Sequence, residues 1–213
     1  RWSFLAGPCR VSTGVGPEGA RCDVDGVTVA PDGTVYASAD GLYAVAPDGK
    51  LKWKFSPGAT HCAATPAVGL DGTVYVGCQD DAVYALDTSS PAHPALLRKI
   101  DPGAHPVAVL LDRDQKHLYV ANSLGDTISI IDTSTDKMIS EILLRPRMAR
   151  DLPGVSPVAL ALSPDQKTLY AALGDMNAVA VIHLSDNSLA GYLPTGWYPS
   201  SLAVPPDGKR LLV

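Results

Sequence analysis

Apolar residues run in short stretches separated by turn-forming clusters. Val158-Ala159-Leu160-Ala161-Leu162 is apolar throughout, as in a strand covered on both faces. Ser163-Pro164-Asp165-Gln166 follows, and Thr168-Leu169-Tyr170-Ala171-Ala172 then forms the second arm of a hairpin. A third stretch, Ala178-Val179-Ala180-Val181-Ile182, precedes a fourth and more polar one, Ser188-Leu189-Ala190-Gly191-Tyr192. The same order holds upstream over Val107 to Leu111, His117 to Ala121, Thr127 to Ile131 and Lys137 to Leu143. No 3.6-residue period persists for three turns, so almost no helix is predicted.

The pattern is a repeat. Pro31-Asp32-Gly33-Thr34-Val35-Tyr36 returns as Leu70-Asp71-Gly72-Thr73-Val74-Tyr75, then as Asp114 to Tyr119 and Pro164 to Tyr170, and a fifth copy starts at Pro206-Asp207-Gly208. Tyr36, Tyr75, Tyr119 and Tyr170 are 39, 44 and 51 residues apart. Four strands per repeat of this length predict an all-β fold, a β-propeller with one blade per repeat. The expected blades are residues 23–55, 63–100, 105–143 and 156–193. Residues 1–22 would be the end of a preceding blade with a disulfide loop, and 199–213 a partial blade, all in one domain. Trp2-Ser3-Phe4 matches Trp53-Lys54-Phe55 at a blade end. A repeat array needs protected ends. Further chain segments are therefore expected to complete a ring of seven or eight blades.

Composition narrows the setting. Among 213 residues, 46% are hydrophobic and 18% charged, a globular balance. A net charge of −5 argues against a nucleic-acid surface. No apolar run is long enough to span a membrane as a helix. The four cysteines, Cys9, Cys22, Cys62 and Cys78, form no CxxC pair, which disfavours zinc-ribbon, thioredoxin-like and c-type haem readings. Cys62 and Cys78 flank the Asp71-Gly72 turn about a midpoint of 70 and should face each other across a hairpin. Cys9–Cys22 is then the second pair by elimination. Disulfides favour a periplasmic or extracellular location.

With these residues in view, the second half resembles YVTN-type propellers, through Leu118-Tyr119-Val120-Ala121-Asn122, Thr127 to Thr133 and Leu162-Ser163-Pro164-Asp165. It departs from that pattern at Gln115 and Gln166, where the turn usually has Gly, at Ala171-Ala172-Leu173, and at Pro205. The first half resembles PQQ-like repeats, through Gly41 to Val45 and Gly49-Lys50-Leu51-Lys52-Trp53-Lys54-Phe55. That resemblance implies that Trp53 and Trp2 lock blades. Asp175 to Val181 and Gly191 to Pro199 look like propellers fused to alkaline-phosphatase-type phosphoesterases, a likeness that transfers no catalytic residue.

In a propeller the turns between second and third strands, together with the links between blades, surround one channel mouth. Loops on a rigid scaffold are the usual place for function. Here they hold Asp126, Asp175 and Asn177, with Arg145, Arg147 and Arg150 in the longest link. The arginines could grip carboxylate or phosphate, or belong to a solvated loop packed by Leu144, Met148 and Leu152. Trp197 and Tyr198 could stack on a ligand. Burial between blades is the expected alternative, since large aromatics are mostly buried. His61 beside Cys62 and Cys78 could hold a metal, but a disulfide accounts better for the cysteines, so no metal site is assigned.

No catalytic residue and no cofactor is assigned either, because GxSxG, GxxxxGKS and GxGxxG do not occur. The expected function is a non-catalytic binding or scaffold propeller, taking a protein or small-molecule ligand on the channel-mouth face. One alternative is the accessory propeller of a larger phosphoesterase-type hydrolase. Another is a fragment of a quinone- or haem-dependent oxidoreductase. Peptide mapping without reductant should recover the pairs Cys62–Cys78 and Cys9–Cys22, and four free thiols would refute both.

Overall fold

The computed structural model describes residues 24–58, 61–90, 92–146 and 154–213. Among them are sixteen strands in four sheets of four, and no helix. The first sheet is β1 (Gly26–Val29), β2 (Val35–Ser38), β3 (Leu42–Val45) and β4 (Leu51–Phe55). The second is β5 (Ala67–Val68), β6 (Thr73–Cys78), β7 (Ala82–Asp87) and β8 (Ala95–Ile100). The third is β9 (Pro106–Leu111), β10 (His117–Asn122), β11 (Thr127–Asp132) and β12 (Lys137–Leu143). The fourth is β13 (Pro157–Leu162), β14 (Thr168–Leu173), β15 (Ala178–His183) and β16 (Ser188–Pro194). Each is an antiparallel meander with strands in chain order. This is the blade architecture of a β-propeller. Beyond Pro199, Ala203 and Leu212 pair as an antiparallel bridge.

No blade holds a core of its own. Side chains alternate across a strand, and here the two sets go to different neighbours. In β6, Val74, Val76 and Cys78 pack with Tyr36, Leu42, Ala44 and Trp53 of the first blade. Tyr75, between them, faces Val109, Leu118 and Val120 of the third. In β10, Leu118 and Val120 turn back toward the second blade, while Tyr119 and Ala121 meet Leu169, Ala171 and Leu173 of the fourth. Each fully buried Leu, Ile or Val contributes about 1.5–3 kcal/mol. Tyr36, Tyr75 and Tyr119 of the repeat therefore each pack toward the following blade. Trp53 joins Tyr36 there, its ring 5.7 Å from that of the tyrosine.

The second blade has a two-residue inner strand. Pro66 lacks a donor, and Thr65 is engaged with Ala108 of the third blade. The Cys62–Cys78 disulfide closes the gap, crosslinking the approach to β5 to the end of β6. Its partners are those predicted from the hairpin midpoint. Cys9 and Cys22 lie outside the described residues, as do Trp2, Arg147 and Arg150.

The inner hairpin turns place one residue at positive φ: Gly33, Gly72, Gln115, Gln166 and Gly208. Two of these are glutamine, which carries a Cβ penalty there. The compensation comes from the preceding blade. Gln115 Oε1 accepts the Leu70 N–H at 2.7 Å, and Gln166 Oε1 accepts the Arg113 N–H at 2.9 Å. Where the turn has Gly72 or Gly208, the corresponding residue of the preceding blade is Pro31 or Pro164, which has no N–H to offer. A Cβ on Gly208 would meet the Pro164 ring at 3.6 Å. Glutamine thus occurs where a donor waits, and glycine where there is none.

Gln166→Ala should destabilise the chain by about 1–2 kcal/mol, since it keeps the left-handed strain and removes the acceptor. Gln166→Gly should cost less, because glycine relieves the strain. Urea midpoints at constant m-value test this order.

Candidate functional site

The face carrying the links has a repeated construction. Three blades are entered through an X-Pro pair: His105-Pro106, Ser156-Pro157 and Tyr198-Pro199. His105, Ser156 and Tyr198 have φ of 59°, 51° and 48°, a region uncommon for residues with a side chain. Each is held by an acidic or amide residue in the β6–β7, β10–β11 or β14–β15 turn of the blade before it. Asp81 Oδ1 accepts the His105 N–H at 2.7 Å, Asp126 Oδ1 the Ser156 N–H at 3.0 Å, and Asn177 Oδ1 the Tyr198 N–H at 2.8 Å. The following blade completes the joint at two of them. His105 O accepts from Ser123 N and Ser156 O from Gly174 N. The link is clamped from both sides.

Asp126 is the most heavily used clamp. Its side chain is buried, and Oδ1 also accepts the Val155 N–H at 2.7 Å. Oδ2 takes the Arg145 fork, with Nε at 2.8 Å and Nη2 at 2.5 Å. Gly154 lies against this pair, where a Cβ would stand 2.9 Å from Asp126 Oδ1. Asp126 and Arg145 therefore close the base of the long link, with Leu144 buried beneath it. Arg145 is engaged inside the protein, at the Asp126 carboxylate. Asn177 also serves the scaffold.

The aromatic pair differs from the expected wedge between blades. Trp197 is 90% exposed and Tyr198 46%. The clamp is the reason. Asn177 holds Thr195 N through its carbonyl at 2.8 Å and Tyr198 N through its side chain, so Gly196 and Trp197 project outward between two fixed points. The Tyr198 ring lies over Gly174, where a Cβ would be 2.8 Å from Cζ. Asp175, next in the chain, is exposed and makes no hydrogen bond or ion pair among the described residues.

Other polar groups on this face pair with one another, among them His61, the residue weighed as a metal ligand. His105 Nδ1 lies 2.7 Å from Ser123 Oγ, and His61 Nε2 lies 2.5 Å from Asp25 Oδ2. The buried Asn122 of the Leu-Tyr-Val-Ala-Asn run donates to Pro102 O at 3.0 Å, fastening the link into the third blade. Two matching clusters sit on the outer part of this face. Asp40 accepts from Tyr43 and Lys54, and Asp80 from Tyr84 and Lys99. Burial raises both carboxyls, but the lysine and tyrosine hydrogen bonds outweigh it and hold them below the ordinary value. Among the described residues no group of three or more His, Cys, Asp or Glu is arranged to hold a metal. The signal available in the sequence was the X-Pro pair downstream of each Asp or Asn turn.

Comparison with known proteins agrees with the architecture. The chain belongs to the YNCE-like β-propeller family, whose model matches residues 31–211. It is similar in structure to hydrazine synthase of Kuenenia stuttgartiensis, with 26% identity and a TM-score of 0.72, covering 89% of this chain and 55% of that one. It is similar in fold to a Bacteroides uniformis protein described as a "putative 6-phosphogluconolactonase", with 21% identity and a TM-score of 0.69, covering 89% of this chain and 62% of that one. The chain thus spans less than two thirds of either relative. No curated protein matches the sequence.

Asp126→Ala should cost about 2–4 kcal/mol, since it breaks the Arg145 ion pair and leaves the Val155 and Ser156 N–H groups without their acceptor. Thermal unfolding tests this. The lowered Asp40 and Asp80 contribute stability above their unfolded value of 3.8, and it is lost as pH falls through their lower folded values. An Asp40→Asn, Asp80→Asn variant should therefore be less stable at pH 7, with the difference shrinking below pH 3.8.

Proposed function

We propose that this YNCE-like β-propeller is a binding scaffold that presents its clamped links to a protein or small-molecule ligand at the channel mouth. One observation carries the reading. The same clamp, built from Asp126 or Asn177, supports links of very different length: residues 145–154 in one blade, Gly196 and Trp197 in the next. A fixed joint with variable loops separates stability from recognition. The polar groups of the joints are spent on one another, while Trp197 is presented to solvent. The Cys62–Cys78 crosslink supports work in an oxidising compartment, periplasmic or extracellular.

A second reading is a propeller portion of a larger redox enzyme, favoured by the likeness to a hydrazine synthase chain. It differs in outcome. A redox assembly should co-purify with a chromophore visible by absorption, and a plain scaffold should not.

The scaffold reading is tested by site-specific photo-crosslinking in the native cell. Crosslinkers at Trp197 and Leu124, on the link face, should capture one common partner. Crosslinkers at Leu70, on the opposite face, and Ile139, on an outer strand, should not. Capture only from Leu70 or Ile139 would overturn the assignment.

A further inference from the structure

We propose that a small cavity between the second and third blades, on the face opposite the links, binds one monovalent alkali cation, sodium or potassium. The site is separate from the link face and does not depend on the scaffold reading.

The joint between the first two blades shows the same place closed. The Tyr36 hydroxyl donates to Thr88 Oγ1 at 3.1 Å, and Thr88 Oγ1 donates to the Gly72 carbonyl at 2.7 Å. One blade on, the parts recur. Tyr75 stands where Tyr36 did, Thr133 where Thr88 did and Gln115 where Gly72 did, and Thr133 Oγ1 donates to the Gln115 carbonyl at 2.6 Å. The bond from tyrosine to threonine does not recur. Tyr75 is only 5% exposed, yet its phenol makes no hydrogen bond among the described residues. Where the bond would run there is a cavity of about 60 Å³, lined by Gly69, Asp71, Tyr75, Leu111, Gln115 and Thr133. One water needs roughly 10–15 Å³, so an ion fits with part of its hydration shell.

Charge selects the occupant. The Thr133 proton is committed to Gln115, so its oxygen can only accept a further bond or ligate a cation. The Asp71 oxygens accept from Thr73 N at 2.9 Å and Thr73 Oγ1 at 3.0 Å, and each keeps a lone pair. Burial, together with the Asp136 and Asp71 carboxylates, pushes the Tyr75 phenol up to about 12. Burial also raises the Asp136 carboxyl. Arg98, 3.7 Å away and largely exposed, offsets part of this, and Asp132 adds to it. Three carboxylates thus act on this place against one guanidinium. A water would complete the hydrogen bonds and leave the negative field uncompensated, whereas a cation answers both. A divalent ion would need several charged ligands, and among the described residues no group of three or more His, Cys, Asp or Glu is arranged to hold one. The cavity wall has one carboxylate among neutral oxygens, which matches a single positive charge.

The test follows thermal unfolding of the full chain in sodium, potassium or choline chloride at equal ionic strength. Equilibrium dialysis against radiolabelled sodium and rubidium, the latter standing in for potassium, counts the sites. Sodium or potassium should raise the midpoint by about 2–4 °C over choline once several-fold above its Kd, with one saturable site per chain. The ion that binds more tightly is the occupant. Tyr75→Phe should abolish the shift and the site while matching the unsubstituted chain in choline, because its phenol has no bond to lose. Tyr36→Phe does lose a bond, so it should lower the midpoint in every salt and keep the cation effect. Asp136→Asn should weaken binding roughly two-fold or more, and it carries the test if Tyr75→Phe fails to fold. Equal midpoints in the three salts with no saturable site would mean that the cavity holds water alone and would overturn the inference. So would a cation effect that survives Tyr75→Phe, or calcium binding more tightly than either ion through the same residues.

Discussion

A single blade is one sheet thick and cannot bury either of its faces alone. Everything else in this structure follows from that constraint. Each strand must send alternate side chains to two different neighbours, and the core consists of interfaces between blades. Tyr75 and Val76, adjacent in β6, belong to different interfaces. The same holds for Leu118 and Tyr119 in β10. Stability is therefore distributed along the array, with each blade depending on the next.

An interface of this kind fixes separation well and rotation poorly, because apolar contact is non-directional. Directional bonds at both faces supply what it lacks. On one face Gln115 and Gln166 reach back to the N–H groups of Leu70 and Arg113. On the other, Asp81, Asp126 and Asn177 hold the entry residues His105, Ser156 and Tyr198 in the left-handed region. Strained backbone persists only where its surroundings fix it, and at His105, Ser156 and Tyr198 that fixing comes from the neighbouring blade.

The clamps also account for the candidate site. Because Asn177 fixes Thr195 and Tyr198, the residues between them are released from any packing duty. On the preceding blade the equivalent link runs from residue 145 to 154, and its described ends are held by Asp126. The scaffold can vary what it displays without disturbing how its blades meet.

Fold class, repeat and strand order were legible in the sequence because the period-2 alternation and the turn residues are local properties. The Cys62–Cys78 pair was legible for the same reason: a hairpin midpoint needs only counting. The exposure of Trp197 was not. An indole beside Tyr198 and Pro199 reads as core by residue type, and only the bond from Asn177, 21 residues upstream, turns it outward. Arg145 likewise read as free surface charge until the fold placed Asp126 beside it. Gln115 and Gln166 showed only as departures from a glycine pattern. Their purpose depends on whether the blade before them offers an N–H or a proline ring. The sequence thus determined the blades, through side-chain alternation along each strand. The tertiary structure decided the joints, because those bonds link residues that meet only once the blades are stacked.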